Sequence, residues 1–202
     1  MDRILIAIPS MDSVSVHFCK SLVSLNKLDA CSVSFVINSL IYSSRNELAR
    51  QAIEGGYEYV LWLDSDMVFD PDTLCRLMLD LEDGRDIVSG IYFRRVRPFA
   101  PVLFSRLEIE GKTCWSEGVE TYPDELFEIA GCGFGCVLMR TAVLREIYET
   151  DGPIWFSPIG NVGEDCAFCI RARAHGHRIW CDPAVKCGHV GHNIITEEDW
   201  KS

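Results

Sequence analysis

The chain has 202 residues, 48% of them apolar, with 30 acidic against 19 basic side chains and a formal charge of −11. That length supports one domain with a real core, and the apolar content excludes a disordered chain. The acidic balance gives no general attraction for nucleic acid, and no apolar run approaches the roughly 20 residues of a membrane helix.

Short apolar runs then alternate with amphipathic stretches. "RILIAIP" (3–9) predicts a core strand ending at Pro9; with its flanks it is too short for a secretory signal. "SVHFCKSLVSLNKL" (15–28) predicts a helix and "CSVSFVIN" (31–38) a second strand. "SSRNELARQAIEGG" (43–56) predicts a helix with serine or asparagine at its cap, glutamate in its first turn and a Gly-Gly stop. "YEYVLWLD" (57–64) predicts the third strand, and "DPDTLCRLMLDLEDG" (70–84) a helix with proline in its first turn. "DIVSGIYF" (86–93) predicts a fourth strand. Strands alternating with helices imply a mostly parallel α/β sheet flanked by helices, with ligands at the carboxyl ends of its strands. From about residue 94 the pattern changes to loops and antiparallel strands, then to a strand and helix over 132–149, and finally to a loop, a helix and a last strand. The expectation is a single domain, with 1–93 as a nucleotide-binding half and 94–202 as an acceptor-binding and catalytic half.

The third strand carries the first chemical signal. In "YVLWLDSDMVFDP" (59–71), Asp64 and Asp66 stand two apart, which on an extended chain puts both on one face. Paired carboxylates repel unless a cation lies between them or one is neutralised. Glu164 and Asp165 in "NVGED" open a later helix, where the helix dipole favours ionised acids and lowers their pKa. His189 and His192 lie in "KCGHVGH", while His175 and His177 sit at a helix end and turn, where histidine serves as a cap.

"LDSDM", followed about a hundred residues later by "GEDCAFCIRARAHG" and then "IWCDPAVKCGHVGH", resembles a GT-A-fold glycosyltransferase of the family 2 type. "SSRNELARQAI", one element before the acid pair, also matches small members of that group. The resemblance implies a Rossmann-like fold with a small antiparallel acceptor-side portion. It also implies transfer of a sugar from a nucleotide-sugar donor, a UDP-sugar foremost, to an acceptor hydroxyl by inverting displacement. The leaving diphosphate would be neutralised by Mn²⁺ or Mg²⁺, for which oxygen ligands with an imidazole are suited. Asp66 and His189 would be the ligands, with Asp64 toward the ribose or the ion's water shell and His192 as a fallback. Asp165 would be the catalytic base and Glu164 would hold the acceptor. Pro9, Ser10, Arg45, Asn46, Asp64, Ser65, Gly133 and Trp155 would line the donor site, with missing side chains in "AGCGFGC" letting the sugar come close.

Ordinary explanations exist for each piece: capping for Ser43, Ser44 or Asn46, core packing for Trp155 and Phe156, a solvated turn for Arg94, Arg95 and Arg97. An acid pair ending an apolar strand also marks haloacid dehalogenase-type phosphatases. There it usually ends the first strand, with threonine or glycine following; here Met67 and Val68 follow a third strand. A non-catalytic nucleotide-sugar-binding module is the third reading. Ten cysteines without a secretory signal suggest a reducing, cytoplasmic setting, and the zinc-like spacing of Cys166, Cys169, Cys181 and Cys187 fits buried thiols better than two close pairs.

Overall fold

The computed structural model describes residues 3–28, 30–110, 113–191 and 194–201. Along the chain, β1 (Ile4–Pro9), α1 (Val16–Ser24), β2 (Cys31–Val36), α2 (Ile41–Glu54) and β3 (Tyr59–Leu63) realise the expected alternation. A short β4 (Met67–Val68), then α3 (Thr73–Glu82) and β5 (Ile87–Ile91), complete the first half. The second half contributes β6 (Leu103–Glu110), β7 (Thr113–Gly118), β8 (Phe127–Ile129), β9 (Gly131–Cys132) and β10 (Cys136–Arg140). After α4 (Thr141–Asp151) and α5 (Glu164–Ala174) come β11 (Ile179–Lys186), β12 (Gly188–Val190), β13 (Ile194–Ile195) and the short α6 (Glu197–Lys201).

Seven strands form the central sheet in the order β2-β1-β3-β10-β5-β11-β8. Five of them point one way; β10 runs against β3 and β5, and β8 against β11, so the sheet is mostly parallel. Because β10 is wedged between β3 and β5, the two halves of the chain interleave in one sheet. β1 is buried on both faces, Leu5 and Ala7 in one apolar cluster and Ile4, Ile6 and Ile8 in the other. That is why its sequence reads as an unbroken apolar run rather than an alternating one. Two smaller antiparallel sheets, β7-β6-β9 and β13-β12-β4, lie beside the main one.

Several boundaries differ from expectation. The first helix ends at Ser24 because the chain then turns to donate from Asn26 N–H to the Pro71 carbonyl at 2.8 Å. Its start follows local chemistry: the Ser15 hydroxyl accepts from Phe18 N–H at 2.9 Å. α2 begins at Ile41 with Leu40 at its cap and no acid in its first turn. The serines expected to cap it lie in its first turn, where the Ser44 hydroxyl bonds that of Ser39 at 2.6 Å. Pro71 precedes α3 instead of entering its first turn, and Asp72 takes the cap position. Among the described residues no helix is long and apolar enough to cross a membrane.

Candidate active site

The acid pair does not continue the strand. β3 stops at Leu63, and residues 64–66 turn, closed by the Met67 N–H donating to the Asp64 carbonyl at 3.1 Å. The pair thus sits in a turn and not on an extended strand as expected, and its two carboxylates take different partners while both line one cavity. Asp64 accepts from Arg45 Nη2 at 2.9 Å, whereas Asp66 meets Arg95 Nη1 at 3.0 Å and His189 Nε2 at 3.4 Å. Each acid has its own cationic neighbour, so repulsion between them is relieved without a shared ion.

His189 arrives from the far end of the chain by strand pairing. β12 runs antiparallel to β4 with His189 opposite Met67, and the Val190 N–H donates to the Asp66 carbonyl at 2.8 Å. The His189 Nδ1 lies 2.9 Å from the Phe93 carbonyl, which only accepts, so that nitrogen carries a proton and Nε2 is presented to Asp66.

Asp165 enters from the first turn of α5, whose cap is Gly163 and whose last turn carries Arg171 and Arg173, a charge order suited to the helix dipole. Its Oδ2 accepts from Phe134 N–H at 3.3 Å, and its Oδ1 lies 3.4 Å from Arg45 Nη2. Asp64 is tied to the same turn, its N–H donating to the Gly135 carbonyl at 3.1 Å.

These neighbours set the charge states. Burial pushes the Asp165 carboxyl up to about 7, against the pull of Arg45 and with added repulsion from Glu164 and Asp64. The helix dipole alone predicts the opposite shift, so Asp165 is a stronger base than its sequence position suggests. Burial likewise raises Asp64, Arg45 opposing and Asp66 adding repulsion. Asp66 is also penalised by burial, but the His189 ring and the Arg95 charge outweigh that and hold it below the ordinary carboxylate range. Burial keeps the Tyr92 phenol protonated, and its oxygen accepts from Gly135 N–H at 3.3 Å.

A cavity of about 640 Å³ opens over this constellation, at the carboxyl ends of β1, β3 and β5. Of the residues singled out from sequence, Pro9, Ser10, Asp64, Ser65, Asp66, Asp165 and His189 line it. Arg45, Asn46, Gly133, Trp155 and Glu164 do not. Arg45 is 1% exposed and lies under the floor. Asn46 is spent on the neighbouring loop, accepting from Phe156 N–H at 2.8 Å and donating to the Ser157 hydroxyl at 3.2 Å. Trp155 is core: its indole N–H donates to the Leu144 carbonyl at 2.7 Å and its ring stacks on Tyr148. His175 and His177 face Asp151, Asp86 and Glu146, away from the cavity. His192 lies outside the described residues.

Gly133 is small for a different reason than a sugar's approach. A Cβ there would lie 1.9 Å from the Tyr92 hydroxyl and 2.8 Å from Val102 Cγ1, so Tyr92 occupies the space a side chain would need. Gly133→Ala is therefore expected to cost about 1–3 kcal/mol of stability by overpacking. Thermal melting checks it, and an unchanged midpoint would show that Tyr92 moves aside freely.

Sequence reading missed Met11, Ser39, Ile41, Ser44, Tyr92, Val96 and Val102 in the cavity wall. Tyr92 had a signal, standing at the carboxyl end of the strand predicted over 86–93, where ligands of such sheets collect. The others are small or apolar side chains with no local mark.

Among the described residues no group of three or more His, Cys, Asp or Glu side chains is placed to hold a metal ion. The ten cysteines are free thiols, and burial pushes Cys166 up to about 12 and raises the Cys181 thiol as well. Cys132, Cys136, Cys169, Cys181 and Cys187 are buried as small core residues, whereas Cys166 is only partly buried. Asp66 Oδ2 and His189 Nε2 are close enough to share one divalent ion, and their chemistry fits Mn²⁺ or Mg²⁺ completed by ligand phosphates. Asp64, committed to Arg45, stands outside that pair.

The glycosyl transferase family 2 profile matches residues 12–148. The chain is similar to the crystal structure of A197 from STIV, at 20% identity and a TM-score of 0.67, over 94% of this chain and 86% of that one. At that identity the likeness speaks to the fold, which is GT-A. No curated protein matches.

Proposed function

The chain belongs to glycosyl transferase family 2 and is a glycosyltransferase; from that premise we propose that it transfers a sugar from a UDP-sugar to an acceptor hydroxyl by inverting displacement. The observation that carries the reading is one cavity in which the Asp66–His189 pair and the raised carboxyl of Asp165 both face the same space. The family membership also sets aside the phosphatase alternative.

In this reading Pro9, Ser10, Met11 and Ser39 hold the nucleoside end, at the tips of β1 and β2. Asp66 and His189 would hold the divalent ion, which would supply charge neutralisation for a diphosphate leaving group. The Phe93 carbonyl fixes the His189 ring so that Nε2 stays turned to Asp66. Arg94 and Arg95, at the cavity rim, supply further positive charge for phosphate in an acidic protein. Asp165 takes the acceptor hydroxyl's proton, and a carboxyl near 7 suits that role because at neutral pH about half of it is ionised and that carboxylate is still basic. A cytoplasmic setting is part of the proposal, on the ten free thiols.

The test is thermal unfolding with a panel of nucleoside diphosphates, each with and without Mn²⁺. A ligand at a hundred times its dissociation constant adds about 2.7 kcal/mol, or about 5–10 °C for a chain of this size. Stabilisation by UDP that requires Mn²⁺ is the expected result. Equal stabilisation by UDP without metal would remove the ion from the reading, and no response to any nucleotide would remove the donor.

A further inference from the structure

Arg45 has an unusual place for a charged side chain. It lies on the buried stripe of α2 with Leu48, Ala49 and Ala52, and is 1% exposed. Its guanidinium lies over the rings of Phe134 and Phe156, 5.4 and 5.7 Å from their centroids. Around its edge stand Asp64 at 2.9 Å, Asp165 at 3.4 Å and Glu164 at 3.7 Å.

A guanidinium without charge partners would not be buried this way. Here the partners are three acids of the site, delivered by the turn after β3 and by the start of α5. Among the described residues only the bond to Asp64 is at hydrogen-bond length, and Arg45 Nε and Nη1 and Asp165 Oδ1 are buried with no hydrogen-bond partner there. The guanidinium fork thus carries unused donors beside an acid with an unused acceptor. A purely structural ion pair would satisfy its atoms at a minimum of charge, whereas this one surrounds a single cation with an excess of carboxylates at the floor of the reaction cavity.

We propose that Arg45 is a positioning residue, which holds the base Asp165 at a set distance from the donor-side Asp64 and does not itself touch the nucleotide. This rests on the reading of Asp165 as base given above. Sequence position points elsewhere, since the segment resembles one that reaches the nucleotide; the structure puts the side chain below the wall such a contact would need. Arginine is suited to the task because its planar fork spans two acids in fixed directions, which a lysine point charge does not.

The experiment compares wild type, Arg45→Lys and Arg45→Gln with Mn²⁺ present. UDP affinity is measured by calorimetry, and turnover by UDP release from UDP-glucose, UDP-galactose and UDP-N-acetylglucosamine with water as acceptor. Misplacing a reacting group by about 1 Å costs on the order of a hundredfold, so Arg45→Gln is expected to lose about that much turnover. Arg45→Lys should recover roughly tenfold of it, and UDP affinity should stay within about threefold of wild type in both. A tenfold loss of UDP affinity with unchanged turnover would make Arg45 a donor ligand and overturn the proposal. If Arg45→Gln does not fold, Arg45→Lys decides alone, since wild-type turnover in that variant also overturns it. Wild type that neither binds UDP nor releases it from any of the sugars fails the donor reading itself, and the inference falls with it.

Discussion

Asp165→Asn is expected to lower turnover about a thousandfold while leaving UDP affinity in Mn²⁺ within about threefold. General-base catalysis contributes typically 10²–10⁴-fold, and asparagine keeps the shape of the side chain without a site for the proton. The Asp165 carboxyl, raised to about 7 by burial, must be ionised to act. Wild-type kcat/KM should then fall about tenfold per unit of pH on the acid side of that value. A dication held at Asp66 draws the break lower, because added positive charge favours the carboxylate. The acid limb should vanish from the residual activity of Asp165→Asn. Stability should move the other way. A carboxyl raised on folding binds its proton more tightly in the native state, so its contribution is present below the unfolded value and is lost as pH rises through the folded one. Above pH 7 the wild type therefore carries the cost of a buried charge that Asp165→Asn lacks, and the variant should melt higher at pH 8. Turnover within threefold of wild type would remove Asp165 from the reaction.

Asp66→Ala is expected to abolish the Mn²⁺-dependent part of UDP stabilisation, the whole of the roughly 2.7 kcal/mol reached at a hundredfold excess over the dissociation constant. The reason is the sparse donor set: with Asp66 and His189 as the only two side chains proposed to hold the ion, loss of one leaves a lone imidazole. Asp66 also gathers the Arg95 guanidinium at 3.0 Å, so its removal frees a cation at the cavity rim. UDP binding without metal should consequently be unchanged or slightly stronger in Asp66→Ala, and isothermal titration with and without Mn²⁺ separates the two effects. Undiminished Mn²⁺ dependence would show that the ion sits elsewhere.

Much of the frame was legible from local pattern. β1, β3 and β5 announce themselves as apolar runs because strands buried on both faces have no solvent side to alternate with. Glu164 and Asp165 mark the start of α5 because acids suit a helix N-terminus wherever it lies. The spacing of Asp64 and Asp66 at a strand mouth, with acids and a histidine following in order, identified the family. These are properties of neighbouring residues, so a linear chain displays them.

The details of the site were not of that kind. Arg45 stands on the apolar stripe of α2, four residues before Ala49, and a charge in that position is itself a mark of a buried ion pair. Its partners, however, are supplied by the turn after β3 and by α5, and helical periodicity does not name them. Gly133 is required by Tyr92, a residue just past β5 and far away in the chain. Trp155 is core because α4 offers a carbonyl and a ring to pack on. His189 meets Asp66 only through the register of β12 on β4. The sequence by itself determined the fold class and the family, and it singled out the acids to which the proposal assigns the chemistry, because periodicity and spacing are local. The tertiary structure alone decided which acid pairs with which cation and how basic Asp165 becomes, because burial and charge interaction sum over groups that the chain brings together from distant positions.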